Sequence, residues 1–157
     1  IWQFLDESSV LVSGQTILTR WDFRLGKEIP PRFELAGKMI YHAACLPDSD
    51  CALTCLGDGT IQVWDFAKNH SRAILEGHKS ISFHSAISPN GKTLATASLS
   101  GEVRLWHLGT ARPLCELTGL TGEAMGLWFS ADGKRLIAAA KTHSGGSEVV
   151  VWDAEGE

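Results

Sequence analysis

The chain has 157 residues, 44% of them hydrophobic and 20% charged, enough for one domain with a sizeable core. The formal net charge is −4 and there is no Lys/Arg cluster, which argues against a nucleic-acid footprint. The longest apolar runs, "LIAAA" and "VVVW", are far too short to span a bilayer. Neither nucleic acid nor a membrane is therefore expected among the partners.

In chain order, the sequence repeats itself. Trp21, Trp64, Trp106 and Trp152 are 43, 42 and 46 residues apart; Asp22, Asp65 and Asp153 follow three of them, and His107 follows Trp106. A period of this length marks a repeat architecture. The repeat divides the chain into units at 1–35, 36–78, 79–120 and 121–157. The first unit opens with only the tail of a strand, at Ile1–Phe4, and runs to "GQTILTRWDF". The second begins near Gly37 and contains "GDGTIQVWDF", a tight turn followed by a short strand. The third begins near Gly77 and reads as strands over Ile81–Ile87, Thr93–Ser98, Val103–Trp106 and Pro113–Leu117. The fourth begins near Gly119 and stops just past Trp152 without a last strand.

Turn chemistry punctuates the units. "SPNGK" at Ser88–Lys92 and "SADGK" at Ser130–Lys134 are one turn written twice, since Asn-Gly and Asp-Gly favour the positive φ of a tight hairpin. The 46-residue spacing comes from four extra residues in "AKTHSGGSEV" relative to "SLSGEV", an insertion confined to one hairpin tip that leaves the strands in register. No segment shows a helical period. Strands such as "LIAAA" and "EVVVW", apolar on both faces, fit sheets covered on both sides. The fold class is all-β: a β-propeller segment of four-stranded antiparallel blades, three to four in number and an incomplete ring. One blade cannot bury both of its faces, so the unit repeats until neighbours cover one another.

With Gly77-His78, Ser98, Trp106 and the 42–46 period, the chain resembles the WD-repeat β-propeller family over almost its whole length. The resemblance implies a buried network in each blade that joins the His of Gly-His, a Ser or Thr, an Asp and the Trp. The third unit offers His78, Ser98 and Trp106, with Ser100 where the Asp is expected. The second offers Asp58 and Trp64, with Lys38 in place of the His and Leu56 in place of the Ser. In the first, Gln15 stands at the Asp position before Trp21; in the fourth, Leu120, Ala140 and Gly146 replace the His, Ser and Asp before Trp152. Each missing bond forgoes roughly 1 kcal/mol, so the blades must rest mainly on apolar packing.

The resemblance also implies a non-catalytic scaffold that binds a protein or peptide on the Gly-His face, where the first residues of each innermost strand line the channel mouth. Those residues are Tyr41 and His42, Phe83 and His84, then Met125; His143 lies in the extended tip on the same side. The competing role for Phe83 and Met125 is to plug the channel. The rivals to a scaffold are a propeller enzyme, a hydrolase or quinone-dependent dehydrogenase, and a purely structural spacer. No Gly-x-Ser-x-Gly elbow is present. The Gly/Ser-rich tip around His143 resembles a phosphate-binding loop superficially, but no strand-to-helix transition follows it, which favours a solvated loop. His42 and His84 recur at one repeat position, as a structural or surface-lining role predicts, and a metal would need three or four donors converging. Asp48, Asp50, Asp58 and Asp132 sit in turns for backbone reasons. No enzymatic activity, cofactor or metal is expected.

Cys45, Cys51, Cys55 and Cys115 form no Cys-x-x-Cys pair and read as buried small hydrophobes, which mildly favours a reduced, cytoplasmic setting. The sequon at Asn69–Ser71 falls in a turn and is read as chance. Trp128 is expected to pack between blades. The chain is expected to be a segment of a longer protein, with further blades of that protein or a second copy closing the ring.

Overall fold

The computed structural model describes residues 2–4, 6–47 and 50–154; Ile1 and Asp48 lie outside them. Fifteen strands form four antiparallel sheets in chain order, and no helix occurs among the described residues. The first sheet contains β1 (Trp2–Phe4), β2 (Ser9–Ser13), β3 (Ile17–Asp22) and β4 (Lys27–Glu34). The second contains β5 (Ile40–Cys45), β6 (Cys51–Leu56), β7 (Ile61–Asp65) and β8 (His70–Leu75). The third contains β9 (Ser82–Ile87), β10 (Thr93–Ser98), β11 (Val103–His107) and β12 (Arg112–Leu117). The fourth contains β13 (Glu123–Phe129), β14 (Arg135–Lys141) and β15 (Ser147–Asp153). The four tryptophans of the repeat occupy the third strand of each sheet, as the spacing predicts.

The two "S-x-x-G-K" turns fold identically. Ser88 Oγ donates to Asn90 Oδ1 at 2.7 Å and accepts the Thr93 N–H at 2.9 Å. Ser130 Oγ donates to Asp132 Oδ1 at 2.5 Å and accepts the Arg135 N–H at 2.9 Å. The insertion in the fourth unit leaves the pairing unchanged: Ala139 faces Val149 as Ala97 faces Val103. The added residues lengthen the hairpin and its tip.

Three apolar layers lie between successive sheets. Leu11, Leu18 and Phe33 of the first sheet meet Ala52, Trp64 and Phe66 of the second. Leu53, Cys55, Ile61 and Val63 then meet Leu94 and Trp106. Ala95, Ala97, Val103 and Leu105 meet Leu127, Leu136 and Ala138, with Trp152 packed alongside. Each sheet buries alternate residues against each neighbour, so inner strands such as β6 are buried along their whole length. The first layer is pinned at its rim by Arg20, which bonds Asp50 at 3.0 Å and stacks 4.5 Å over the Phe66 ring.

Three expectations fail locally. Trp128 does not pack between two sheets; it is 54% exposed and its indole lies over Gly126 on the far side of the fourth sheet. "EVVVW" is covered on one side only, with Val149 and Val151 exposed. Cys115 is exposed on β12, which is exposed at every position but its last.

Candidate functional site

The site is built on the innermost strands β5, β9 and β13. Each carries a β-bulge near its start, where one residue has no partner of its own. Pairing passes from Ile40 to His42, from Ser82 to His84 and from Ala124 to Gly126. The residues left over are Tyr41, Phe83 and Met125, at a spacing of 42. A bulge kinks its strand and re-aims the extra side chain. Three equivalent bulges therefore turn three large side chains out of the layers at the same rim.

Tyr41 and Phe83 meet edge to face, with ring centroids 5.1 Å apart and planes at 76°, the geometry aromatic quadrupoles favour. Both are half-buried, whereas Met125 is 58% exposed. The Tyr41 ring lies over Gly57 at the neighbouring hairpin tip, 3.0 Å from where a Cβ would stand. Beside it is a cleft of about 290 Å³, lined by Met39, Tyr41, Gly57 and the Lys38–Asp58 ion pair at 2.8 Å. Lys38 and Thr60 together hold the Asp58 carboxyl down at about 2. Lys38 occupies the sequence position of the missing His and pairs with Asp58 at the surface.

The two imidazoles behind this rim also meet, with centroids 6.5 Å apart, and His42 Nε2 lies 2.8 Å from Ser85 Oγ. Burial, aided by the facing His84, pushes His42 down to about 4, and burial lowers His84 as well. Burial thus favours the neutral form of both rings. In the fourth unit Gly126 takes the equivalent place, so the imidazole row stops there. His143 is exposed, and its Nδ1 lies 3.1 Å from Thr121 O, which holds the extended tip against the start of β13. The structure therefore joins Tyr41 with Phe83 and His42 with His84, and sets Met125 and His143 at the corresponding end of the fourth sheet. Among the described residues no three His, Cys, Asp or Glu side chains gather to hold a metal.

The buried network of the third unit uses different residues from those expected. Trp106 Nε1 donates to Thr96 Oγ1 at 2.8 Å, and His78 Nε2 lies 2.7 Å from the same oxygen. His78 Nδ1 lies 3.2 Å from Glu102 Oε2. The hydroxyl is thus Thr96 and not Ser98, and the carboxylate is Glu102, with Ser100 playing no part. Register explains the correction. Trp106 stands opposite Leu94, so Thr96 is its diagonal neighbour on that face, and Ser98 lies a further ~7 Å along the strand. Ser98 and Ser100 bond each other at 2.9 Å instead. In the second unit Thr54, not position 56, receives the Trp64 indole at 3.0 Å. The matching positions are Val12 in the first unit and Ala138 in the fourth. Trp152 accordingly donates to Thr118 O at 2.7 Å, and Trp21 is 39% exposed. Glu148 stands where Glu102 does, four residues before its Trp, and accepts the Thr121 and Gly122 N–H groups at 2.5 and 3.0 Å. The signal was readable as "SGEV" and "GSEV", the same Glu in two units.

Burial disfavours a charged His78 and lowers it despite the Glu102 partner. Burial works against the Glu102 carboxylate too, but the Lys79 N–H, Arg104 and His78 outweigh it and hold it low. Thr96 Oγ1 accepts the indole proton and gives its own to His78 Nε2, which leaves Nδ1–H to donate to Glu102.

Residues 31–65 and 69–107 match the model of the family described as WD domain, G-beta repeat. Among curated proteins, Topless-related protein 1 of Arabidopsis thaliana is 31% identical over 112 residues, which is 66% of this chain and 9% of that protein. Coronin-7 of Homo sapiens is 31% identical over 101 residues, 62% of this chain and 11% of that protein. Transcription factor unc-37 of Caenorhabditis elegans is 25% identical over 114 residues, 72% of this chain and 18% of that protein. The chain thus spans a small part of the length of each relative.

Proposed function

We propose that this chain, which carries WD repeats stacked as β-propeller blades, is a non-catalytic scaffold that binds a protein or peptide at the rim formed by Tyr41, Phe83 and Met125. The observation that carries the reading is the bulge repeated at those three positions. Bulges are features that aim side chains, and three in a row present large apolar groups at one mouth. Aromatic and Met side chains are favoured in interface cores, and rims on rigid sheets commonly carry recognition. The Lys38–Asp58 pair and His143 supply polar edges around the apolar centre. A spacer has no use for three re-aimed side chains. The enzyme reading would need chemistry-bearing groups converging on the rim, and the three bulges present Tyr41, Phe83 and Met125 there instead.

The test is to pan a random peptide library against the chain and measure the selected peptides on wild type and on Tyr41→Ala with Phe83→Ala. The double variant should bind more than about 2 kcal/mol more weakly, roughly thirtyfold, while keeping its unfolding midpoint within the range of surface changes. Equal binding by the folded double variant would remove the rim from consideration.

A further inference from the structure

The inner strands pack side by side at two joints, β5 with β9 and β9 with β13. At the rim end of the first joint two contacts stand one residue apart. The Tyr41 ring meets Phe83, and His42, the next residue, meets His84. At the second joint Met125 follows Phe83 along the rim, but Gly126 holds the imidazole place. One joint therefore carries a pair of facing bases directly behind its rim, and the other does not.

A proton on either ring puts a charge into a half-buried joint, and a proton on both adds repulsion. Among the described residues of the packed strands, nothing offsets that charge. Tyr41 and Cys45 share β5 with His42, and on β6 Cys55 stands directly across from it, with Cys51 further along. β1, β2 and β10 carry no ionisable side chain, and Ala97 of β10 faces His84. Glu123 is the one carboxylate on these strands, at the exposed start of β13 opposite Lys141. Lys38 and Asp58 at the neighbouring tip pair with each other. Ser85, 2.8 Å from His42 Nε2 across the joint, can donate or accept and so serves either form of the ring. Burial lowers both imidazoles, His42 to about 4 with the help of His84. Rings parted into water regain their ordinary affinity for protons. Proton uptake as the pH falls from 6.5 toward 4 therefore favours the parted joint.

We propose that this pair makes the rim acid-sensitive: a proton taken up between β5 and β9 parts Tyr41 from Phe83 and releases a peptide held across them. The release rests on the rim being the binding site, whereas the parting of the rings does not.

The test has two arms, both on the 157-residue chain. In the first, nuclear Overhauser contacts between the rings of Phe83 and Tyr41, the single tyrosine, are followed by magnetic resonance from pH 7.5 to 4.5. They should fade in wild type while the strand amides keep their folded signals, and persist in His42→Gln with His84→Gln. His84→Lys, which sets a lasting charge in the joint, should lack them already at pH 7.5. Contacts that persist in wild type at pH 4.5, or that fade equally in the double glutamine variant, overturn the proposal. In the second arm, peptides selected by panning at pH 7.5 are measured at both pH values. Wild type should bind them at least about tenfold more weakly at pH 4.5, and the double glutamine variant should change by less than about threefold. Equal weakening in the two proteins overturns the release, since the loss then belongs to the peptide. Peptides indifferent to Tyr41→Ala with Phe83→Ala at pH 7.5 overturn the rim as the site and the release with it, while the ring contacts still decide whether the joint parts.

Discussion

Thr96 and Trp106 are joined by a 2.8 Å hydrogen bond at the centre of the third sheet, and His78 shares the same hydroxyl at 2.7 Å. Removing that hydroxyl strands two buried groups at once. Thr96→Val should therefore cost about 2–3 kcal/mol, more than a typical single bond, because a donor and an acceptor are both left unpaired. Ser98→Ala, which disturbs only the bond to Ser100, should cost under about 1 kcal/mol. Urea midpoints of the two variants decide the matter, and equal losses would mean that the network is centred elsewhere.

Acidification should weaken the fold before any carboxylate is involved. His42 is held at about 4 in the folded chain against an ordinary value of 6.5. The unfolded chain then takes up a proton between those values that the folded chain refuses. Stability is present in full above 6.5 and falls as the pH drops toward 4, by up to about 3 kcal/mol for this ring. His42→Gln keeps a polar partner for Ser85 and should flatten the dependence. Thermal midpoints at several pH values between 4 and 7 will show whether the slope diminishes.

The turn after the third strand carries its own expectation. Asp22 Oδ1 accepts the Arg24 and Leu25 N–H groups, and Asp65 Oδ1 accepts that of Lys68. In the third unit His107 Nδ1 does this for Thr110 at 3.1 Å. His107→Asp restores the carboxylate and should stabilise the chain by roughly 0.5–1 kcal/mol, since bonds to charged acceptors are stronger. A destabilised variant in chemical denaturation would refute the equivalence of these turns.

Hairpin glycines separate backbone strain from crowding. Gly91 has φ +69° and open space around its Cβ position. Gly101 has φ +79° and would place a Cβ 2.8 Å from Gly122 O, on the loop that enters the next sheet. Gly91→Ala should cost about 1 kcal/mol for the left-handed backbone alone, and Gly101→Ala distinctly more. If calorimetry finds the two equal, that contact carries no weight.

The fold was legible because its signal is periodic. Trp spacing, turn residues and strand alternation each repeat, so an error in one unit is corrected by the others, and β10 was read to the residue as Thr93–Ser98. The network was less legible because it depends on reach across a sheet. Thr96 and Ser98 lie on the same face, and only the register of Leu94 against Trp106 selects between them. The bulges were invisible for the same reason: Tyr41, Phe83 and Met125 stand out as large residues at one position, but nothing in their spacing shows that each has lost its partner. Trp128 was misread because its surroundings depend on which faces find a neighbour, a property of the stack and not of β13.

The hairpin tip of the fourth unit has a consequence for how such a chain varies. Its extra residues leave the Ala139–Val149 pairing where Ala97–Val103 places it, so the layers do not register the change. Lengthening a loop costs entropy only as the logarithm of its length, about 0.6 kcal/mol per doubling. The length of this tip can therefore change at little cost while the strands beneath it keep their register, even though particular tip residues such as Gly101 in the third unit are fixed by their contacts. A lineage of such repeats can acquire new ligands by rewriting its tips, and the segment from Thr142 to Gly146 is the natural place in this chain to graft a foreign sequence.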